Sequence, residues 1–202
     1  MNAPERISRR IDAIVIGTSA GGVEALSILL PALSPRLSAT VYIVLHLTSE
    51  PSSVLPGLFA PLCPLPVRAA RDTEIPEPGT VYFAPPDYHL LLEHGPCLAL
   101  SFDPPVHFSR PSIDVLFESA ADVYRERLLG IILTGANEDG AAGLQAVQQA
   151  GGLSIVQRPD SAQIPFMVLS ALKRCQPDFV LSLEQIAAVL HSLGAAVTAS
   201  PL

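Results

Sequence analysis

Four short runs of Val, Ile and Leu without polar alternation stand out, at residues 12–16, 41–45, 128–133 and 153–156. Continuous apolar runs of this length fit strands covered on both faces, as in a parallel sheet. Helical spacing falls between them. Val23, Leu26, Leu30 and Leu33 repeat at that period until Ser34 and Pro35 stop the segment. Ile113, Leu116, Phe117, Ala120 and Tyr124 repeat it after Pro111 and Ser112, and Leu144 and Val147 mark a helix closed by Gly151 and Gly152. Ile186, Val189, Leu190 and Leu193 mark the last helix, opened by Ser182 with Gln185 at capping-box spacing. Strands alternating with helices predict a doubly wound, mostly parallel α/β sheet with helices on both faces.

The middle of the chain reads differently. Residues 61–111 are rich in proline, with short extended pieces at 67–70, 81–84, 89–93 and 97–101. Gly79 and the Gly95-Pro96 pair supply turns. These predict an antiparallel hairpin or edge addition and not a further βα unit. The stretch after Gly194 carries no clear structural signal. The expected organisation is one domain over residues 1–202, with its core at about 11–194.

Composition narrows the function. The chain has 202 residues, 49% of them apolar, and a formal net charge of -7. That hydrophobicity argues against disorder, and the missing basic patch argues against nucleic acid as a partner. No stretch approaches the roughly 20 apolar residues of a membrane span, and the start has no signal-peptide pattern. Cys63, Cys97 and Cys175 are odd in number and widely spaced, which suggests thiols in a reducing cytoplasm and neither a disulfide framework nor a zinc site.

Three reactive side chains fall where the strands end. Ser19 follows the first run, inside Gly17-Thr18-Ser19-Ala20-Gly21-Gly22. His46 follows the second. Asp139 lies shortly after the third, inside Leu133-Thr134-Gly135-Ala136-Asn137-Glu138-Asp139-Gly140. Open α/β sheets bind ligands at the carboxyl ends of their strands. A serine hydroxyl needs a neighbouring base, histidine titrates near working pH, and a carboxylate on the far ring nitrogen fixes the tautomer. Ser19, His46 and Asp139 are therefore expected to form a catalytic triad. The backbone of Ala20, Gly21 and Gly22, at a helix start, is expected to receive an oxyanion. No cofactor or metal is called for.

Each residue alone has a plainer role. Ser19 could cap a helix, His46 could be a hydrogen-bonded residue at a strand end, and Asp139 could cap the helix after Gly140. The glycine-rich turn could hold a phosphate, which leaves a nucleotide- or phosphate-binding module as an alternative, although it lacks GxGxxG spacing and a GK[ST] ending. An esterase for another substrate is a further alternative, because substrate choice resides in loops. His89, His94, His107 and His191 fit surface or packing roles, with His107 near the cleft. Arg110 fits a structural role, and Asp114 fits the N-terminus of its own helix.

At these motifs the sequence resembles the chemotaxis protein-glutamate methylesterase family. Its pattern has a glycine-flanked serine after the first strand, a histidine after the second, and an LTGMGxDG-like segment holding the aspartate. Pro78-Gly79-Thr80-Val81-Tyr82-Phe83-Ala84-Pro85-Pro86 and Ser109-Arg110-Pro111-Ser112-Ile113-Asp114-Val115-Leu116-Phe117 extend the resemblance, which runs from about residue 12 to 193. It implies Ser19 as nucleophile, His46 as general acid and base, and Asp139 as the orienting acid. It also implies a cytoplasmic enzyme that removes methyl groups from glutamates of chemoreceptor helices during signalling adaptation, with deamidation of receptor glutamines in many members.

The chain departs from that pattern in places. Ala20 stands where the family often has Thr, Ala136 replaces the Met of LTGMG, and Asn137 replaces its second Gly. Val168 stands where a proline is common, so a different loop is expected there. The chain also begins directly at the catalytic region, which leads to the expectation of activity without phosphorylation control, or of control by a separate regulatory protein.

Overall fold

The computed structural model describes residue 7 and residues 9–46, 54–95 and 97–194. The stretch after Gly194 lies outside them. Strand β1 (Ala13–Thr18) is buried at every position and pairs in parallel with β2 (Thr40–Leu45) on one side. On its other side it pairs in parallel with β7 (Leu128–Ile132). Beyond β7 come β8 (Leu153–Gln157) and β9 (Phe179–Leu181), and beyond β2 come β4 (Val81–Phe83) and β3 (Val67–Ala69). The seven-stranded order is β3-β4-β2-β1-β7-β8-β9, parallel throughout. The chain leaves β1 toward β2 and leaves β7 toward β8. The strand order therefore switches direction between β1 and β7, where open sheets place their binding crevice.

Side chains alternate across the sheet. Ile14 and Ile16 of β1 pack against α1 (Gly22–Leu29), α2 (Leu55–Phe59) and α6 (Leu183–Leu193). Ala13 and Val15 face α3 (Ile113–Tyr124), α4 (Ala141–Gln149) and α5 (Phe166–Arg174). A separate antiparallel hairpin, β5 (His89–Glu93) and β6 (Cys97–Ser101), covers part of this second face. Helix α3 forms because Ile113, Leu116, Phe117, Ala120 and Ala121 make one buried stripe and the Ser112 hydroxyl accepts the Val115 N–H. The Ser182–Gln185 capping box opens α6 as its spacing predicts.

The doubly wound frame and the hairpin match expectation, and two local readings need correction. Residues 67–69 and 81–83 are not part of an antiparallel addition; they extend the main sheet in parallel, with Val81 opposite Val41. A short helix, α2, lies before this region, and the connection from β3 to β4 contains no helix, so among the described residues no further βα unit falls within 61–111. The Phe166-Met167-Val168 segment is not a loop but the first turn of α5, where Met167, Val168 and Ala171 form a buried stripe. Three-residue strands and nine-residue helices carry too few periods to be told from loops by pattern alone.

Helices α3 and α4 approach closely at Gly143. A Cβ there would lie 2.5 Å from the Phe117 Cβ and 3.0 Å from the Asp114 Cα. Gly143→Ala is therefore expected to destabilise the protein by about 1–3 kcal/mol, the usual cost of overpacking, measured as a shift in the urea unfolding midpoint.

Candidate active site

Residues 19 and 46 leave adjacent strands at the same rung. Thr18 pairs with Leu45, and the His46 N–H donates to the Thr18 carbonyl (3.1 Å), which carries the ladder one residue further. Alternation then puts both side chains on the α3 face, because Val15 and Val44 already lie there. Ser19 is half-buried and its N–H donates to the Thr134 carbonyl (3.0 Å). Thr134 also donates its hydroxyl to the Ala20 carbonyl (2.9 Å) and accepts the Ile164 N–H (2.9 Å). These contacts bind the serine turn to the loop after β7 and to the approach to α5.

The turn itself depends on Gly21, at φ +81°, where a Cβ would meet the Gln163 side chain at 2.5 Å. Of the backbone donors expected to face an oxyanion, the Gly22 N–H is already engaged, donating to the Ser19 carbonyl (2.8 Å). It closes the turn and is not free for a ligand. Among the described residues the Ala20 and Gly21 N–H groups have no such partner, which leaves them as the candidate donors.

Asp139 is fully buried, and its two oxygens make four contacts. Oδ1 accepts the Ser112 hydroxyl (2.8 Å) and the Asp114 N–H (3.0 Å), and Oδ2 accepts the Ile113 N–H (2.6 Å). The fourth contact is the His46 Nε2, 3.0 Å from Oδ2. This approach is short, but the ring N–H is not aligned with it. The carboxylate thus occupies the N-terminus of α3, where free amides and the helix dipole favour negative charge, and presents one edge to the imidazole. His46 is itself largely buried, with 11% of its side chain exposed. Its other nitrogen, Nδ1, faces the Asn137 Nδ2 at 3.4 Å.

The plainer reading of Asp139 needs correction: it does not cap the helix that follows it. Asp114 stands in the first turn of its own helix, as expected, and its Oδ1 also accepts the N–H groups of Gly140 (2.9 Å) and Gly143 (2.6 Å) at the start of α4.

A family model described as CheB methylesterase matches residues 14–190. The chain belongs to the CheB methylesterase family. A Leptospira interrogans protein is 45% identical over 176 residues, which cover 87% of this chain and 91% of that protein. The "protein-glutamate methylesterase/protein-glutamine glutaminase 2" of Anaeromyxobacter dehalogenans is 37% identical over 95% of this chain, and the match covers 55% of its length. The crystal structure of the Thermotoga maritima CheB methylesterase catalytic domain superposes with a TM-score of 0.86 at 28% identity, covering 93% of this chain and 99% of that one.

The electrostatics of this CheB methylesterase domain separate the two buried carboxylates. Burial alone would raise Asp139, but the His46 ring and the Asp114 and Ile113 amides outweigh it and hold the carboxyl below its ordinary range. Asp114 moves the other way, to about 6: burial dominates, the Gly143 amide opposes it, and the charge of Asp139 adds to it. His107 lies near both Asp114 (3.4 Å) and Glu138 (3.5 Å). These groups line one side of a cleft of about 610 Å³, and Phe166, Leu169 and Lys173 line the other. His89 is buried and accepts the Ser112 N–H at Nδ1 (3.1 Å), so its packing role also sets the start of α3. Arg110 is structural, donating to the carbonyls of Phe102 (3.2 Å) and Asp103 (3.1 Å).

Three supporting residues had no signal of their own in the pattern: Thr134, Ser112 as a donor to Asp139, and Ser109, which accepts the second Asn137 amide N–H (3.2 Å). Each acts across the fold, and only the quoted motif segments marked their neighbourhoods. Among the described residues no helix is long and apolar enough to cross a membrane.

Asp114 yields a pH prediction. Its folded-state value is raised from 3.8 to about 6. The stability it contributes is fully present below the unfolded value and is lost as pH rises through about 6. Wild type is therefore expected to lose roughly 2–3 kcal/mol of unfolding free energy relative to Asp114→Asn between about pH 4 and pH 7, measured by urea unfolding across that range. A constant difference between the two proteins would contradict it.

Proposed function

We propose that this protein is a serine hydrolase that removes methyl esters from glutamate side chains on chemoreceptor cytoplasmic helices, releasing methanol, and that it also deamidates receptor glutamines, releasing ammonia. The observation that carries the reading is the convergence at one sheet rim of the Ser19 turn, the His46 ring and a buried Asp139. Membership of the CheB methylesterase family supports the substrate class. A cytoplasmic location follows from that substrate.

In this reading the Ser19 Oγ attacks the ester carbonyl carbon and its proton passes to the His46 Nδ1, the nitrogen turned away from Asp139. Asp139 stabilises the imidazolium through Nε2. The Ala20 and Gly21 N–H groups receive the oxyanion, a kind of contact worth about 2.7–4 kcal/mol per donor in a dissected hydrolase. Collapse of the tetrahedral intermediate expels methanol, protonated by His46, and leaves glutamyl-Ser19. A water activated by the same ring then releases the free glutamate and restores the serine. No step calls for a cofactor.

Ser19→Ala and His46→Ala are each expected to abolish methanol release from methylated receptor fragments, by a factor on the order of 10⁶ in kcat if the three residues act as a unit. Both variants should unfold at the wild-type temperature to within a few degrees. Full activity in Ser19→Ala would overturn the assignment of the nucleophile.

A further inference from the structure

Helix α5 has two apolar faces. Met167, Val168 and Ala171 are buried in the core on that side of the sheet. Phe166, Leu169, Ser170 and Lys173 fall at i, i+3, i+4 and i+7 on the opposite side, and all four line the cleft of about 610 Å³. Phe166 is 55% exposed and Leu169 is 50% exposed. Single exposed apolar side chains need no account, but two on one stripe that walls a cleft point to a contact surface. The stripe begins beside Ser19. A Cβ at Gly135 would lie 2.6 Å from the Met167 Cε and 3.0 Å from the Ser19 Cβ, so only a glycine separates Ser19 from the first turn of α5. It ends at Lys173, seven residues or about 10 Å further along the axis.

Charge is graded along the same stripe. Lys173 and the adjoining Arg174 close one end of the cleft, and among the described residues neither makes an ion pair. Glu138 and His107, 3.5 Å apart, stand on the facing wall. A chain of net charge -7 repels an acidic partner as a whole and draws it in only where cations gather. Two apolar side chains followed by a basic end, over about two turns, suit one face of an amphipathic helix.

We infer that the outer stripe of α5 is the docking surface for the helix that carries the scissile ester or amide. The apolar face of that helix packs on Phe166 and Leu169, and an acidic side chain about two turns from the scissile group pairs with Lys173. Glu138 repels the same acid, so the pair forms at Lys173 and not on the facing wall. This rests on the hydrolase reading above and adds to it where the substrate's helix lies and which of its side chains are read besides the ester.

The test uses a methylated, helical receptor fragment with the full chain as wild type, Leu169→Gln and Lys173→Glu. Binding is measured by calorimetry with Ser19→Ala added to each, so that the ester survives. Leu169→Gln should raise Kd about five- to tenfold, because a half-exposed leucine is covered in the complex. Lys173→Glu should raise it at least tenfold at low salt, and the difference should shrink at about 0.5 M salt. Exchanging the paired acid of the fragment for lysine should restore binding to Lys173→Glu. In turnover the two variants should raise KM and keep kcat within about twofold, a split that a damaged fold would not produce. Unchanged Kd in both variants, or no binding by wild type, would overturn the inference. So would a wild-type dimer in sedimentation that Leu169→Gln dissolves, which would assign the stripe to a second copy. Methanol release is read separately. Release with an unshifted Kd removes the docking surface and keeps the hydrolase, whereas a shifted Kd without release removes the hydrolase and keeps the docking surface.

Discussion

Two helices of this domain take their N-terminal charge from each other's territory. Asp139, on the loop leading into α4, sits on the free amides of α3, and Asp114, in the first turn of α3, sits on the free amides of α4. A helix start with no acceptor leaves several N–H groups unsatisfied, and here both starts are buried. Each carboxylate therefore meets a need that nothing else nearby meets. Because the two exchanges share the same few residues, α3 and α4 cannot slide independently. The close approach at Gly143 is the steric counterpart of this lock.

The geometry around His46 hangs from that exchange. Asp139 reaches His46 only because three donors at the start of α3 hold its carboxylate under the ring. The His46 ring and the Asp114 and Ile113 amides also hold its carboxyl below the ordinary range despite full burial. Asp114 is raised instead, by its burial above all, so two neighbouring buried carboxylates are shifted in opposite directions. On the other side of the site, Thr134 joins the serine turn, the β7 loop and the approach to α5 through one hydroxyl and one carbonyl. The Ser19 turn and Asp139 thus rest on neighbouring parts of the same loop.

Much of this was legible along the chain. The buried parallel strands announced themselves as unbroken apolar runs, because a strand covered on both faces has no solvent side to mark. Ser19, His46 and Asp139 stood out because each follows such a run, at the rim where sheets of this class bind ligands. The plainer reading of Asp139 as a cap of the following helix fails for a physical reason: local rules assign a carboxylate to the nearest helix start, and here Asp139 and Asp114 each accept amides at the start of another helix, 25 or more residues away in sequence. The parallel placement of β3 and β4 was hidden in the same way, since three residues show neither period nor partner.

By itself the sequence determined what is local and periodic: the alternating α/β plan, the capping box of α6, the glycine that permits the serine turn, and the three reactive residue types in place. The tertiary structure alone decided what depends on distant partners. It chose which amides the two aspartates accept, engaged the Gly22 N–H within the turn, and brought the Asn137 amide against the imidazole. The physical reason is one of range. Backbone periodicity and turn chemistry act over a few residues, whereas a buried polar group must be satisfied by whatever the fold places within about 3 Å of it, and that neighbour is set only when the layers pack.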